Sequence, residues 1–145
     1  MVTDELKDLR ERIRHSTAHV MADVVKQLYP DVKLAIGPPT EDGFYYDFMT
    51  DTPFSEDDLE KIEKAMQKVI SNDLPFIYSE YSRGEIVGMN QSEPLKLEVI
   101  SDIPEGEVIS TYSHGEFEDL CAGPHVGSTG DIPAFKLLNV AGAYW

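Results

Sequence analysis

The chain has 145 residues, 27 acidic against 12 basic, for a net charge of −15. One domain is the default at this length, with a core able to bury roughly 70% of the unfolded chain's surface. A hydrophobic content of 41% and an aromatic content of 10% exclude intrinsic disorder, and the single cysteine excludes an internal disulfide.

No apolar run approaches the ~20 residues of a membrane span, and the first residues do not read as a signal peptide, so no membrane partner is expected. The charge argues against broad electrostatic binding to nucleic acid, which needs clustered Lys and Arg. Any nucleic-acid partner is then gripped locally, or by another domain.

Thr3 to Tyr29 reads as one long helix. Leu6, Leu9, Ile13, Val20 and Val24 recur on one side, Asp4 and Glu5 suit the first turn, and Pro30 ends the segment. Val32 to Ile36 is a short strand, broken by Gly37-Pro38-Pro39. A tight turn at Glu41-Asp42-Gly43 leads into the aromatic strand Phe44 to Phe48. Ser55 and Asp58 form a capping box for a second helix, with Leu59, Ile62, Met66, Val69 and Ile70 as its buried stripe and its end near Asn72.

Phe76 to Tyr81 is a strand by alternation. Ser82 and Glu85 cap a short helix to about Met89. Leu95 to Ser101 is read as helix opened by Pro94. Val108 to Tyr112 and Glu116 to Cys121 form a hairpin around a turn at Ser113-His114-Gly115, and Ile132 to Val140 is the last strand. Helices and hairpins without regular strand–helix alternation predict an α+β fold: a long N-terminal helix and further helices on a largely antiparallel sheet.

Chemistry concentrates in two short motifs, His15-Ser16-Thr17-Ala18-His19 and Cys121-Ala122-Gly123-Pro124-His125. His15 and His19 are four residues apart, so on a helix they stack on one face, roughly opposite the apolar stripe. Read alone, they are also what an ordinary helix carries. The Gly-Pro loop changes that, because two His on a helix with Cys and His on a loop form a complete tetrahedral zinc set. The helix motif is not that of the zinc proteases, whose base would stand at Ser16. Cys121 with His125 also reads as a thiolate and its base, though no oxyanion motif accompanies them. In the expected strand Asp119 shares a face with Phe117 and Cys121, where it can orient a water or accept from an amine. Its plainer reading is an edge-strand charge. Lys96 has no spacing argument. His114, beside Gly115, is expected as an exposed turn residue. Phe44, Tyr45 and Tyr46 suit stacking on a base or packing in the core.

His15 to His19, Ala35-Ile36-Gly37-Pro38, Gly43-Phe44-Tyr45-Tyr46-Asp47, Asp119 to His125, Phe135-Lys136-Leu137 and Ala141 to Trp145 stand in one order. Together they strongly resemble the amino-terminal editing domain of bacterial threonyl-tRNA synthetases, in a superfamily shared with the alanyl-tRNA synthetase editing domain. The resemblance implies a cleft holding both motifs, in which serine mischarged onto threonine tRNA is hydrolysed. His15, Lys96 and Asp119 are then catalytic: His15 as base, Lys96 polarising a hydroxyl or carbonyl, Asp119 holding the amine or a water. His19, Cys121 and His125 shape the pocket.

The resemblance implies no catalytic metal. If zinc is bound, His15, His19, Cys121 and His125 are the ligands expected, and a closed four-ligand site leaves no open position for water. The partners implied are the 3′-terminal adenosine of threonine tRNA carrying serine and the aminoacylation and anticodon-binding domains of a parent synthetase, in the cytoplasm. Residues 1–145 are read as one editing domain, excised from a longer chain. Two alternatives stand beside this reading: an alanyl-type editing domain acting in trans, and a non-catalytic module that binds the tRNA acceptor end.

Overall fold

The computed structural model describes residues 3–35, 43–121 and 123–137. Helix α1 runs Asp4–Leu28, capped by the Thr3 hydroxyl, which accepts from the Leu6 N–H at 3.2 Å. It is followed by β1 (Lys33–Leu34), β2 (Phe48–Met49), α2 (Glu56–Ser71), β3 (Ile77–Tyr81), α3 (Arg83–Met89), α4 (Pro94–Ser101), β4 (Ile109–His114), β5 (Phe117–Leu120) and a 3-10 turn at Thr129–Asp131. The expected α+β class is the one observed: the described residues form four helices with two small antiparallel sheets, β1–β2 and β3–β4–β5.

Both capping boxes form with their reciprocal bonds. The Ser55 hydroxyl accepts from the Asp58 N–H while Asp58 accepts from the Ser55 N–H, and Ser82 and Glu85 repeat the pattern. Pro94 opens α4 at its first turn, where a missing N–H costs no helical bond. Arg83 closes that helix from outside, donating to the carbonyls of Ile100 at 2.7 Å and Ile103 at 2.6 Å.

The main core joins Val20, Met21, Val24 and Val25 of α1 to Ile62 and Met66 of α2, with Val32, Val126 and Ile132. A smaller one gathers Ile86, Ile100 and Ile109. The single-stripe reading of α1 holds for Val20 and Val24, with half-buried Ile13 packed against the same core. Leu6 and Leu9 are exposed, whereas Ser16 to Val25 are buried on every side. The cause is that α2 covers one face and the β4–β5 hairpin the other, so the face opposite the apolar stripe meets the hairpin rather than solvent.

Three strand expectations shift. The aromatic strand is shortened: β2 covers Phe48–Met49, with Phe44 in an isolated bridge and the Ala35 N–H reaching the Asp47 carbonyl at 3.0 Å. The hairpin turn falls at Gly115-Glu116, where Gly115 has φ 57°, so His114 ends β4 opposite Phe117. Residues 132–137 form no strand, and the remainder of that expected strand lies outside the described residues. So do Ile36 to Asp42, Ala122 and the Ala141 to Trp145 motif. The cleft remains an expectation of the resemblance.

Candidate active site: two adjoining clusters

Cys121 leaves β5 and starts the loop that returns to α1. Gly123 has φ 79°, and a side chain there would press into Tyr112, its Cβ 2.8 Å from a ring carbon and 2.8 Å from the hydroxyl oxygen. The loop can therefore close tightly over β4. It is tied to α1 through Ser16, whose hydroxyl accepts from the Val126 N–H at 3.0 Å and lies 2.8 Å from His125 Nδ1.

The Cys121 Sγ lies 3.2 Å from His15 Nε2 and 3.0 Å from His125 Nε2, and accepts from the Gly123 N–H at 3.3 Å. One proton arrangement satisfies this whole chain. Ser16 accepts from Val126 and donates to His125 Nδ1, and His125 Nε2–H donates to Sγ. The thiol then donates to His15 Nε2, and the His15 ring donates to the Pro124 carbonyl.

Burial keeps these groups uncharged. It holds His15 below the ordinary imidazole value, against the pull of the Pro124 carbonyl, Glu11 and Asp119. His125 is lowered to about 2, by burial and then by its histidine neighbours. Burial pushes the Cys121 thiol up to about 12, with Asp119 adding to the rise while the Gly123 N–H and Lys96 oppose it. A thiol in that state is a proton-bearing hydrogen-bond donor at neutral pH rather than a nucleophile.

The second cluster adjoins the first. Lys96 on α4 is 2% exposed, its Nζ 2.7 Å from Asp119 Oδ1 and 2.7 Å from the Tyr46 hydroxyl it donates to. Tyr46 in turn donates to Asp119 Oδ2 at 2.7 Å, and the Leu120 N–H donates to Oδ1 at 2.8 Å. Burial, then the Asp119 charge, raise Tyr46 well above a phenol's ordinary value. The triangle is thus ammonium, carboxylate and neutral phenol.

His15, Cys121 and His125 therefore converge, and Lys96 meets Asp119. His19 stands apart from the thiol: its Nδ1 is 3.1 Å from His114 Nδ1, and its ring lies 5.1 Å from that of His125. Burial, then the nearby His114, His15 and Lys96, lower it well below the ordinary value. The four-ligand zinc set is accordingly corrected to three, His15, Cys121 and His125, whose ligand atoms all lie within 4.8 Å of one another. Neutral imidazoles and a thiol are suitable zinc donors, so these three fit the ion, and a three-ligand set leaves its fourth position open.

His114 is the larger correction. It is buried at 1% exposure, with Nε2 2.8 Å from Asp23 Oδ2. Strand alternation explains it: Tyr112, His114, Phe117 and Asp119 are paired across β4 and β5 on the face turned to α1. Tyr46, Ser16, Asp23 and His114 were missed as site residues. The recurrence of His15, His19, Asp23 and Gln27 at every fourth position of α1 was a readable signal for Asp23.

Residues 109–142 match the model of the threonyl and alanyl tRNA synthetase second additional domain. The whole chain is 52% identical to a threonine–tRNA ligase of Anoxybacillus flavithermus over 147 aligned positions, which cover 23% of that protein. Threonine–tRNA ligases of Carboxydothermus hydrogenoformans (55%, 98% of the chain, 22% of the relative) and Acetivibrio thermocellus (54%, 94% and 22%) are similar. The chain spans less than a quarter of the length of these relatives. Residues 109–142 thus carry the second additional domain shared by threonyl and alanyl tRNA synthetases. The chain as a whole corresponds to the editing domain of threonyl-tRNA synthetases, since its similarity to the threonine–tRNA ligases runs along its full length.

Proposed function

We propose that the domain hydrolyses the ester joining serine to the 3′-terminal adenosine of threonine tRNA. Residues 1–145 would be the proofreading unit of a longer cytoplasmic threonine–tRNA ligase, working beside its aminoacylation and anticodon-binding domains. The observation that carries the reading is the buried Lys96–Asp119–Tyr46 triangle set against the neutral His15–Cys121–His125 cluster.

A synthetic site cannot reject serine strongly, because one methyl is worth only ~1–3 kcal/mol. A second site that excludes threonine's methyl corrects the error. In the reaction, water adds to the ester carbonyl, its proton passes to His15 and from there to the departing ribose oxygen, and the ester C–O bond breaks, releasing serine and the ribose hydroxyl. His15 suits the base because its ring donates to Pro124, so Nε2 is the acceptor; the Cys121 S–H that occupies that lone pair at rest would turn aside for the water. Of the three Lys96 protons, one is committed to Asp119 and one to Tyr46. The third is available to the carbonyl oxygen as negative charge develops there. Asp119 can accept from the serine amine, while His19, Cys121 and His125 line the pocket.

Zinc held by His15, Cys121 and His125 would supply a Lewis acid. The reaction proposed uses the protein groups and water, since the cluster's hydrogen bonds already close among themselves. The test is to follow hydrolysis of seryl- and threonyl-esters of threonine tRNA side by side. Much faster loss of the seryl ester is expected. Equal rates would refute the specificity, and no hydrolysis of either would favour the non-catalytic module.

A further inference from the structure

The polar row of α1 continues past the site. Gln27 Nε2 donates to Asp23 Oδ1 at 2.6 Å, Asp23 Oδ2 lies 2.8 Å from His114 Nε2, and His114 Nδ1 lies 3.1 Å from His19 Nδ1. Asp23, His114 and His19 are all buried. The reaction described above gives Asp23 and His114 no task.

The order of donors along this chain follows from its end. A carboxylate only accepts, so Asp23 holds a proton on His114 Nε2. In neutral His114, Nδ1 is then a lone pair. The contact with His19 is a hydrogen bond only when His19 Nδ1 carries the proton, which leaves His19 Nε2 as the acceptor. That atom is buried and has no hydrogen-bond partner among the described residues. The opposite assignment would set two lone pairs against each other at the His19 Nδ1–His114 Nδ1 contact, or would need a second proton on His114.

We propose that Asp23 and His114 are positioning residues that fix His19 in the tautomer with a free Nε2 lone pair. The unpartnered nitrogen is an acceptor held ready beside the His125 ring, suited to an O–H or N–H of water or of the aminoacyl group. Gln27 completes the device by occupying the other Asp23 oxygen, which orients the carboxylate. Without the Asp23 anchor, His114 can take its proton on Nδ1 and donate to His19, reversing the polarity of both rings. The effect on catalysis rests on the proposed hydrolysis; the tautomer assignment does not.

Long-range proton–nitrogen NMR of the histidine rings tests the assignment. The wild-type chain is expected to show His114 protonated on Nε2 and His19 on Nδ1. Asp23→Leu, which keeps bulk but cannot accept, should spread the His19 proton over both nitrogens. It should also lower kcat for the seryl ester about ten- to hundredfold with KM unchanged. Asp23→Asn retains an accepting oxygen and should keep the wild-type tautomers and most of kcat.

A wild-type His19 protonated on Nε2 would overturn the proposal, whether or not Asp23→Leu folds. So would an Asp23→Leu protein with wild-type tautomers and kcat. Correct tautomers in a wild-type chain that hydrolyses nothing would support the relay and remove the hydrolase reading instead.

Discussion

Lys96→Met is the most direct probe of the buried triangle, because it keeps the apolar stem and removes the charge. Lys96 and Asp119 side chains are 2% and 5% exposed. Removing one partner of a buried pair typically costs about 3–5 kcal/mol. After Lys96→Met the Asp119 carboxylate keeps two donors, the Tyr46 hydroxyl and the Leu120 N–H. The loss should fall near the lower end, about 3 kcal/mol. Asp119→Leu leaves an ammonium whose one remaining acceptor among the described residues is the Tyr46 oxygen, so its loss should lie near 5 kcal/mol. The double variant carries no unpaired charge and should lose no more than about 2 kcal/mol, far less than the sum.

Thermal melts at neutral pH, at roughly 4 °C per kcal/mol for a domain of this size, separate the three cases. A total stability of roughly 7–20 kcal/mol leaves Lys96→Met folded at 25 °C, where seryl-ester hydrolysis should still fall more than tenfold. Lys96→Met within 1 kcal/mol of wild type, Asp119→Leu costing less than Lys96→Met, or additive losses would each refute the electrostatic reasoning.

Acid should destabilise the domain early. His125 is near 2 folded and about 6.5 unfolded, so the unfolded chain binds the extra proton. Stability from this group is complete above pH 6.5 and lost as pH falls, by about 2 kcal/mol at pH 5; urea titrations from pH 7.5 to 4.5 measure it, and a flat profile contradicts it. At pH 8 the thiolate fraction of a group at about 12 is ~10⁻⁴, against roughly a quarter for free cysteine. Iodoacetamide should therefore alkylate native Cys121 about a thousandfold more slowly than unfolded chain, and comparable rates would show an open, ionised thiol. His114→Ala should cost about 1–3 kcal/mol for each polar group it orphans, Asp23 and His19, so a melt unchanged from wild type would disprove its buried role. Chelator treatment should leave hydrolysis nearly unchanged. One zinc per chain, with activity lost on its removal and restored on its return, would overturn the metal-free reading.

The elements most legible in the sequence were those set by local chemistry. Ser55/Asp58 and Ser82/Glu85 announced their helices because a capping box satisfies backbone donors within four residues. Pro94 marked α4 for the same local reason. Burial depends on what packs from afar, and there reading faltered. Leu6 and Leu9 continue the stripe of Val20 but run beyond the helices that cover it. His114 was assigned by its glycine neighbour to the turn, while the turn came one residue later and alternation carried the ring inward. Within the site, His15 with Cys121 and His125 was suggested by residue type and spacing, whereas Lys96 entered only through resemblance. Tyr46 was hidden because its role depends on Lys96 and Asp119, 50 and 73 residues away in sequence.

What joins the two clusters is that neither offers strong net charge. Lys96 is balanced by Asp119, and the imidazoles and thiol are held neutral by burial. In a chain of net charge −15, such a site cannot draw in a phosphate-bearing ligand by its field, so under the proposed function delivery of the tRNA end would fall to surfaces elsewhere. Under the same proposal, discrimination within the site would have to be local as well. Serine and threonine share the hydroxyl, amine and ester, and every hydrogen bond described here is open to both. Only packing can tell them apart, and packing resists an extra methyl when the wall cannot yield. The closed network from Val126 through Ser16, His125 and Cys121 to His15 supplies that stiffness, since moving any ring breaks two hydrogen bonds at once. The same neutrality that weakens the site's reach would thus favour the selectivity proposed for it.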